Sequence, residues 1–469
     1  MDIYNSARVG AGIFASKDGP SVMSTGQNQT EQRGHTKVDS GIDSGPESTP
    51  ARWPKRELGR FESEDPDGTT LVVIGGVHGN EPAGLIAAMR VLDTLRAQEP
   101  AGFDGRLVVL AGNLPALNLD DKEARYIDFD LNRMFTDEQI AKPASTSVEH
   151  GQMQAILAAL RDQRTHGDRM IVMDLHTTSS DAPPVVVFED SLPARLFARQ
   201  MPMPLYLGFE EELDGLLIDR VTNELGSIAV VIEGGQHFDP QSIVVHEAAI
   251  WAGLHAAGIL RVDALPHDRR PGDILREAVG DQAYKVFDIR YRKPIEHEDF
   301  AICPGIEAGM RIKQAVTPIA IEDGQPITSP VRGRVFLPNM QARKRIGDDG
   351  FFIVRHIGEG WIEFSARVRR QEWIHWLIAR MPGVYAMDDG SLFVDADLAA
   401  VLKRQVFHLF GYRLVRHDQR DGGHGAMRVW HGISAFCRAL FRGPIKGGPK
   451  YDDLRFWIVR RHRLDHVDH

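Results

Sequence analysis

Three short apolar runs in this chain break off into residues that can bind a metal or move a proton. Leu71-Val72-Val73-Ile74 leads into Gly75-Gly76-Val77-His78-Gly79-Asn80-Glu81. Met170-Ile171-Val172-Met173 leads into Asp174-Leu175-His176, and Ile228-Ala229-Val230-Val231-Ile232 leads into Glu233-Gly234-Gly235. His78 and Glu81 stand three apart at a glycine-rich turn, where the backbone can fold tightly enough for both side chains to face one point. With His176 they would make a His₂Glu set. Three protein ligands and one open position are the pattern of a catalytic zinc site. Such a set also accepts cobalt, manganese or iron. One zinc per chain would activate a water and polarise a carbonyl. Glu233 is placed to take the proton of that water and deliver it to a leaving nitrogen. Asp174, two residues before His176, suits either an imidazole partner or a turn cap. A lone His-x-x-Glu pair carries little weight among 19 histidines. The weight lies in three strand ends delivering such residues at once.

A second cluster follows the run Arg106-Leu107-Val108-Val109-Leu110. It reads Arg125-Tyr126-Ile127-Asp128-Phe129-Asp130-Leu131-Asn132-Arg133-Met134-Phe135. Arginine forks bind carboxylates through two parallel hydrogen bonds. Arg125, Asn132 and Arg133 would therefore clamp a carboxylated substrate, and the alternative is a surface loop with ordinary salt bridges.

These residues need a scaffold. The runs at 71–74, 106–110, 170–173, 185–188 and 228–232 read as buried strands, because they are apolar without alternation. Helical spacing over Glu81–Leu95, Val148–Leu160 and about Val244–Leu260 separates them. Strands alternating with helices imply an α/β fold whose largely parallel sheet is covered on both sides. Ligand crevices in such sheets open at the carboxyl ends of the strands. Residues 1–50 are polar and poor in periodic apolar positions, as a disordered arm would be. A catalytic domain is expected over 51–265. A boundary rich in proline and charge follows, then a small β domain over 270–358. Residues 359–469 form an α+β extension, with amphipathic helices at Phe364–Arg380 and Ala396–Phe410 around a hairpin near Asp388-Asp389-Gly390. Its last part, 411–469, holds 12 Lys+Arg against 6 Asp.

The chain has 469 residues, too many for one compact core. Its composition is 42% hydrophobic and 26% charged, which excludes fibrous and wholly disordered classes. A net charge of −10 argues against general nucleic-acid binding. Two cysteines, Cys303 and Cys437, make a disulfide-stapled secreted fold unexpected. No apolar stretch is long enough to span a membrane. A cytoplasmic protein without nucleic-acid or membrane partners is expected, and a homo-oligomer stays open.

Together the stretches 75–81, 125–135, 174–179 (Asp-Leu-His-Thr-Thr-Ser) and 231–235 resemble the aspartoacylase and succinylglutamate desuccinylase family, zinc hydrolases related to the zinc carboxypeptidases. The resemblance covers about residues 70–265 well and the segment to about 355 more loosely. It implies a carboxypeptidase-like, mostly parallel or mixed sheet covered by helices, with a smaller C-terminal β domain. It implies His78, Glu81 and His176 as zinc ligands and Glu233 as general base. Arg125 is implied to stabilise the oxyanion, and Asn132 and Arg133 to bind a substrate carboxylate. The implied reaction is hydrolysis of the amide of an N-acyl amino acid or a similar small carboxylated amide. Zinc carboxypeptidase-like peptide trimming and a non-catalytic binding protein on the same scaffold are the alternatives. Two departures concern the substrate. The family's arginine about ten residues before the catalytic glutamate is replaced by Asn223, with Arg220 out of register. No tyrosine occurs between Asn339 and Phe351 to take the place of one that reaches the family's site.

Overall fold

A computed structural model describes residues 52–63, 68–167, 169–266, 270–381, 384–386, 392–395, 408–414 and 456–461. The expected disordered arm, Cys437, the turn at 388–390, most of the helix expected over 396–410 and most of the basic final stretch lie outside these residues.

Among the described residues, eight strands and the five longest helices frame the first part of the chain. They are β1 (Glu57–Glu62), β2 (Thr70–Gly75), α1 (Ala83–Gln98), β3 (Arg106–Ala111), α2 (Val148–Arg164), β4 (Met170–Thr178), β5 (Val185–Phe188), β6 (Leu205–Leu207), α3 (Leu217–Leu225), β7 (Ile228–Gln236), α4 (Gln241–Ala256), α5 (Pro271–Val279) and β8 (Val286–Pro294). The short strands β9 (Ala301–Ile302), β10 (Arg311–Ile312), β11 (Ala320–Glu322) and β12 (Gln325–Ile327) follow, then β13 (Gly333–Phe336) and β14 (Asp349–Ile357). One mixed sheet runs in the order β1-β3-β2-β4-β7-β5-β6-β8-β14-β13-β10. Strands β3, β2, β4 and β7 are mutually parallel.

The apolar runs are continuous because both sheet faces are covered. Leu71 and Val73 of β2 point into a core shared with α1 and α4, whereas Val72 and Ile74 point into one shared with α2 and α3. Helix α2 starts where the Ser147 side chain accepts the amide of His150, satisfying one of the free donors of the first turn.

The sheet differs from the expected one in three places. The run at 185–188 is a strand, but β5 lies antiparallel to β7. The edge strand β1 and the three-residue β6 carry no clear apolar run and were not expected. Segment 286–357 does not stand apart from the sheet. Strand β8 pairs in parallel with β6 and antiparallel with β14, so this segment extends the main sheet edge to edge. It keeps a small core of its own, with Ile295, Phe300, Ile319 and Phe351.

Beyond it, the single helix expected over Phe364–Arg380 is instead two, α6 (Glu359–Arg369) and α7 (Glu372–Ile378), broken at residues 370–371. Strands β15 (Val384–Ala386) and β16 (Leu392–Asp395) pair antiparallel on either side of the expected hairpin turn. These join β17 (Tyr412–Leu414) and β18 (Phe456–Arg461) in a separate four-stranded sheet. Asp190, just past β5, ties this extension down. Arg195 donates to its carboxylate at 2.5 and 2.9 Å, Arg369 at 2.6 Å, and Arg413 also pairs with it. Arg369 is fully buried. Among the described residues no helix is long and apolar enough to cross a membrane.

Three buried guanidiniums on one carboxylate predict a strong stability effect. Burial opposes ionisation of Asp190, yet Arg195, Arg369 and Arg413 hold its carboxyl well below the usual range. Its contribution is therefore fully present above about pH 4 and is lost as pH falls through the depressed folded value. Asp190→Ala leaves these cations uncompensated, and urea denaturation at pH 7 should read a loss of about 3–5 kcal/mol. A loss below about 1 kcal/mol would mean that the cluster is solvated and not a staple.

Candidate metal and catalytic site

The neighbouring strands β2, β4 and β7 bring their carboxyl ends together, and His176 and Glu233 lie directly across from each other in the β4–β7 register. Strand β2 ends in a turn that delivers His78 and Glu81 before α1 begins. Gly79 allows that turn: a β-carbon there would stand 2.6 Å from the Ala116 carbonyl. The Gly79 amide donates to the carbonyl of Arg125 at 2.8 Å, which ties the turn to the arginine loop.

His78, Glu81 and His176 are all buried, and one ligand atom from each lies within 4.8 Å of the others. His78 Nδ1 is 3.0 Å from Glu81 Oε1, and His176 Nδ1 is 2.9 Å from Glu81 Oε2. The far side of each ring meets a second carboxylate. His78 Nε2 lies 3.1 Å from Asp130, and His176 Nε2 lies 2.9 Å from Asp174. Two imidazoles whose Nδ1 atoms face one carboxylate, and whose Nε2 atoms are held by others, fit a zinc ion in ligand type and in outer support. Of the two roles open to Asp174, it takes the imidazole partner.

Glu233 opens onto the same cavity. Its Oε2 is buried and makes no hydrogen bond. Burial pushes its carboxyl up to about 8, against the pull of His176. A carboxyl with a free oxygen in such surroundings is suited to exchanging protons near neutral pH.

Arg125, Asn132 and Arg133 line the cavity as well. Arg125 donates to Glu81 Oε1 at 3.0 Å and to Asp130 Oδ2 at 3.3 and 3.4 Å. Arg133 pairs with Asp349 at 2.5 Å. The Asn132 carboxamide oxygen accepts the Leu217 amide at 2.8 Å and so fastens the start of α3 to the loop. Asn223 and Arg220 stay away from the cavity lining. Asn223 donates to the Asp219 carbonyl at 2.8 Å, and Arg220 pairs with Asp137 and Glu224.

Several contributors escaped the sequence reading. Asp130 sits inside the arginine motif and could have been singled out as an acid between two arginines. His237, next to the cavity, meets Thr177 Oγ1 at 2.8 Å. It follows the third strand end by four residues. Glu149 had no sequence signal beyond its place in the first turn of α2. It is buried and accepts the amides of Ile127, Asp128 and Phe129 at 2.9–3.2 Å, which fixes the arginine loop. The connection from β13 to β14 borders the cavity. Met340 N donates to Ser179 Oγ at 3.0 Å, Arg345 stacks 4.3 Å over Tyr126, and Tyr126 donates to Asp348 at 3.0 Å. Asn339 and Gln341 of this connection line the cavity in the stretch that lacks tyrosine.

Residues 67–256 match the family model described as the succinylglutamate desuccinylase/aspartoacylase catalytic domain. These residues, less than half of the chain, are similar to that domain. Curated relatives of this desuccinylase/aspartoacylase domain include succinylglutamate desuccinylase from Burkholderia cenocepacia, 34% identical over 110 residues, which are 23% of this chain and 30% of that protein. Aspartoacylase from Mus musculus is 31% identical over 123 residues, 26% of this chain and 38% of that protein. An N-acyl-aromatic-L-amino acid amidohydrolase from Xenopus tropicalis is 28% identical over 201 residues, 42% of this chain and 59% of that protein. The chain thus spans about a third of the length of the first curated relatives it matches. The crystal structure of succinylglutamate desuccinylase from Vibrio cholerae overlays with a TM-score of 0.47 at 16% identity, over 63% of this chain and 83% of that one.

The outer carboxylates yield a prediction. Asp174→Asn keeps the size of the side chain but removes the charge behind His176. Zinc affinity, read by competition with a chromogenic chelator, should fall about 10–100-fold while circular dichroism stays unchanged. Unchanged affinity would refute the supporting role of Asp174.

Proposed function

We propose that this chain is a zinc-dependent amidohydrolase that removes the acyl group from an N-acylated amino acid or a similar small carboxylated amide. The observation that carries this reading is the convergence of the buried His78-Glu81-His176 group with the unpartnered Glu233 oxygen in one cavity. The names of the related desuccinylase, aspartoacylase and amidohydrolase support the same reaction class.

His78, Glu81 and His176 would hold the zinc. When bound, zinc polarises the amide carbonyl and makes water nucleophilic near neutral pH. Glu233 takes the proton from the attacking water and passes it to the amide nitrogen as the carbon–nitrogen bond breaks. Arg125, already charged and oriented by Asp130, donates to the carbonyl oxygen as negative charge develops there. Asn132 and Arg133 belong to the loop that receives the carboxylate of the amino acid. Arg133 must then exchange or share its pairing with Asp349. Residues 51–265 carry the chemistry, and the segment 270–358 shapes the cavity mouth. Asn339 and Gln341 line the cavity beside Ser179, which accepts the Met340 amide, and this narrowing favours small substrates over extended peptides.

Glu233→Gln should keep about the wild-type zinc content by elemental mass spectrometry. Its kcat for an N-acyl amino acid should fall by about 10²–10⁴, the usual contribution of a positioned acid–base group. Near-normal kcat in that variant would remove Glu233 from the reaction. Zinc content indifferent to His176→Ala would remove the metal site.

A further inference from the structure

We infer, on the basis of the deacylase reading, that the amino-acid part of the substrate carries an apolar side chain and not an acidic one. The cavity lining is of two chemical kinds. The arginine loop contributes Arg125 and Arg133. Val187, Phe209, Leu213, Leu216, Ile218 and Val231 also line it and pack together in one hydrophobic cluster, an apolar wall with no cation.

The wall is fixed against the arginine loop. The Leu217 amide donates to Asn132 Oδ1 at 2.8 Å, and the Phe135 amide donates to the Gly215 carbonyl at 3.1 Å. The approach is so close that a β-carbon on Gly215 would lie 2.3 Å from the Arg133 carbonyl oxygen. A ligand whose α-carboxylate meets Arg133 therefore presents its side chain to residues 213–218.

An acidic side chain would find no counter-charge there. Arg125 already faces Glu81 and Asp130, and Arg133, which shares its charge with Asp349, is taken up by the α-carboxylate. Arg220, one turn into α3, is drawn away to Asp137 and Glu224. A second carboxylate placed on this wall would be desolvated without a partner, the arrangement that costs most in a buried site. An aliphatic or aromatic side chain instead gains by leaving water.

Two measurements separate this inference from the reaction on which it rests. The first is kcat/KM of the zinc-loaded protein on N-acetyl-L-leucine, N-acetyl-L-phenylalanine, N-acetyl-L-aspartate and N-acetyl-L-glutamate. The second is calorimetric binding of free L-leucine, L-phenylalanine and L-aspartate to protein stripped of metal by chelation. The expected result is a preference of about 100-fold or more for the apolar amides, with tighter binding of the apolar amino acids to the stripped protein. Preference for the aspartate or glutamate amide overturns the inference and leaves the deacylase reading standing. Apolar amino acids that bind the stripped protein without turnover of any amide support the subsite and overturn the deacylase reading. Neither binding nor turnover overturns both.

Discussion

The Glu81 carboxylate organises everything near the cavity floor. Its Oε1 meets His78 Nδ1 and Arg125 Nη1, and its Oε2 meets His176 Nδ1 and the Thr177 amide. A carboxylate has about four acceptor sites, and all four are used. Burial alone would neutralise this group, but His78 and His176 hold it well below the usual carboxylate range. The four partners come from the β2–α1 turn, the arginine loop and β4. One buried charge thus fixes the relative position of three segments that are distant in sequence. An unpaired charge at that depth would be costly, so the imidazoles and Glu81 depend on one another in the absence of any ion. Chelation by a divalent cation would replace the same contacts with the same atoms.

How much of this was legible in the sequence follows from what each residue needs. The buried strands could be read because residues covered on both faces are apolar without interruption, and glycine must follow where the chain turns sharply above a packed neighbour. His78, Glu81, His176 and Glu233 could be read because each stands at the end of such a run. The parallel pairing that aligns the runs follows from the helices between them. Strands β1 and β6 could not be read. An edge strand of mixed exposure and a three-residue strand leave no long apolar pattern. The antiparallel direction of β5 was equally hidden, since a fully buried run looks alike in either direction. Glu149 shows the limit at the site. Its work is to accept three backbone amides beside one amide hydrogen bond from the Asn113 side chain, and no side-chain motif announces a group whose partners are mostly main chain.

The pairing of arginines follows another logic. Types and spacing marked Arg125 and Arg133 as carboxylate binders, but spacing cannot reveal a competing acid supplied from far along the chain. Asp349 comes from β14, more than two hundred residues later, and meets Arg133 only because β8 and β14 extend the main sheet past β6. The same extension brings Leu337 and Phe352 to the cavity. The later β segment therefore supplies both a counter-charge and apolar lining to a cavity whose metal-capable residues lie in the earlier part.

The C-terminal extension makes the dependence reciprocal. Asp190 follows β5 directly, and β5 contributes Val187 to the apolar side of the cavity. Arg413 reaches not only Asp190 but also Glu210 at 3.4 Å, and Glu210 belongs to the short turn of helix that begins at Phe209. Burial pushes the Glu210 carboxyl up to about 7, so its ionisation leans on Arg413. Phe209 and Val187 are thus anchored from behind by charges that the extension supplies. Among the described residues, none of the extension lines the cavity, yet Arg413 braces the turn that carries Phe209 and the chain just past Val187 and so helps set where the apolar side of the site stands.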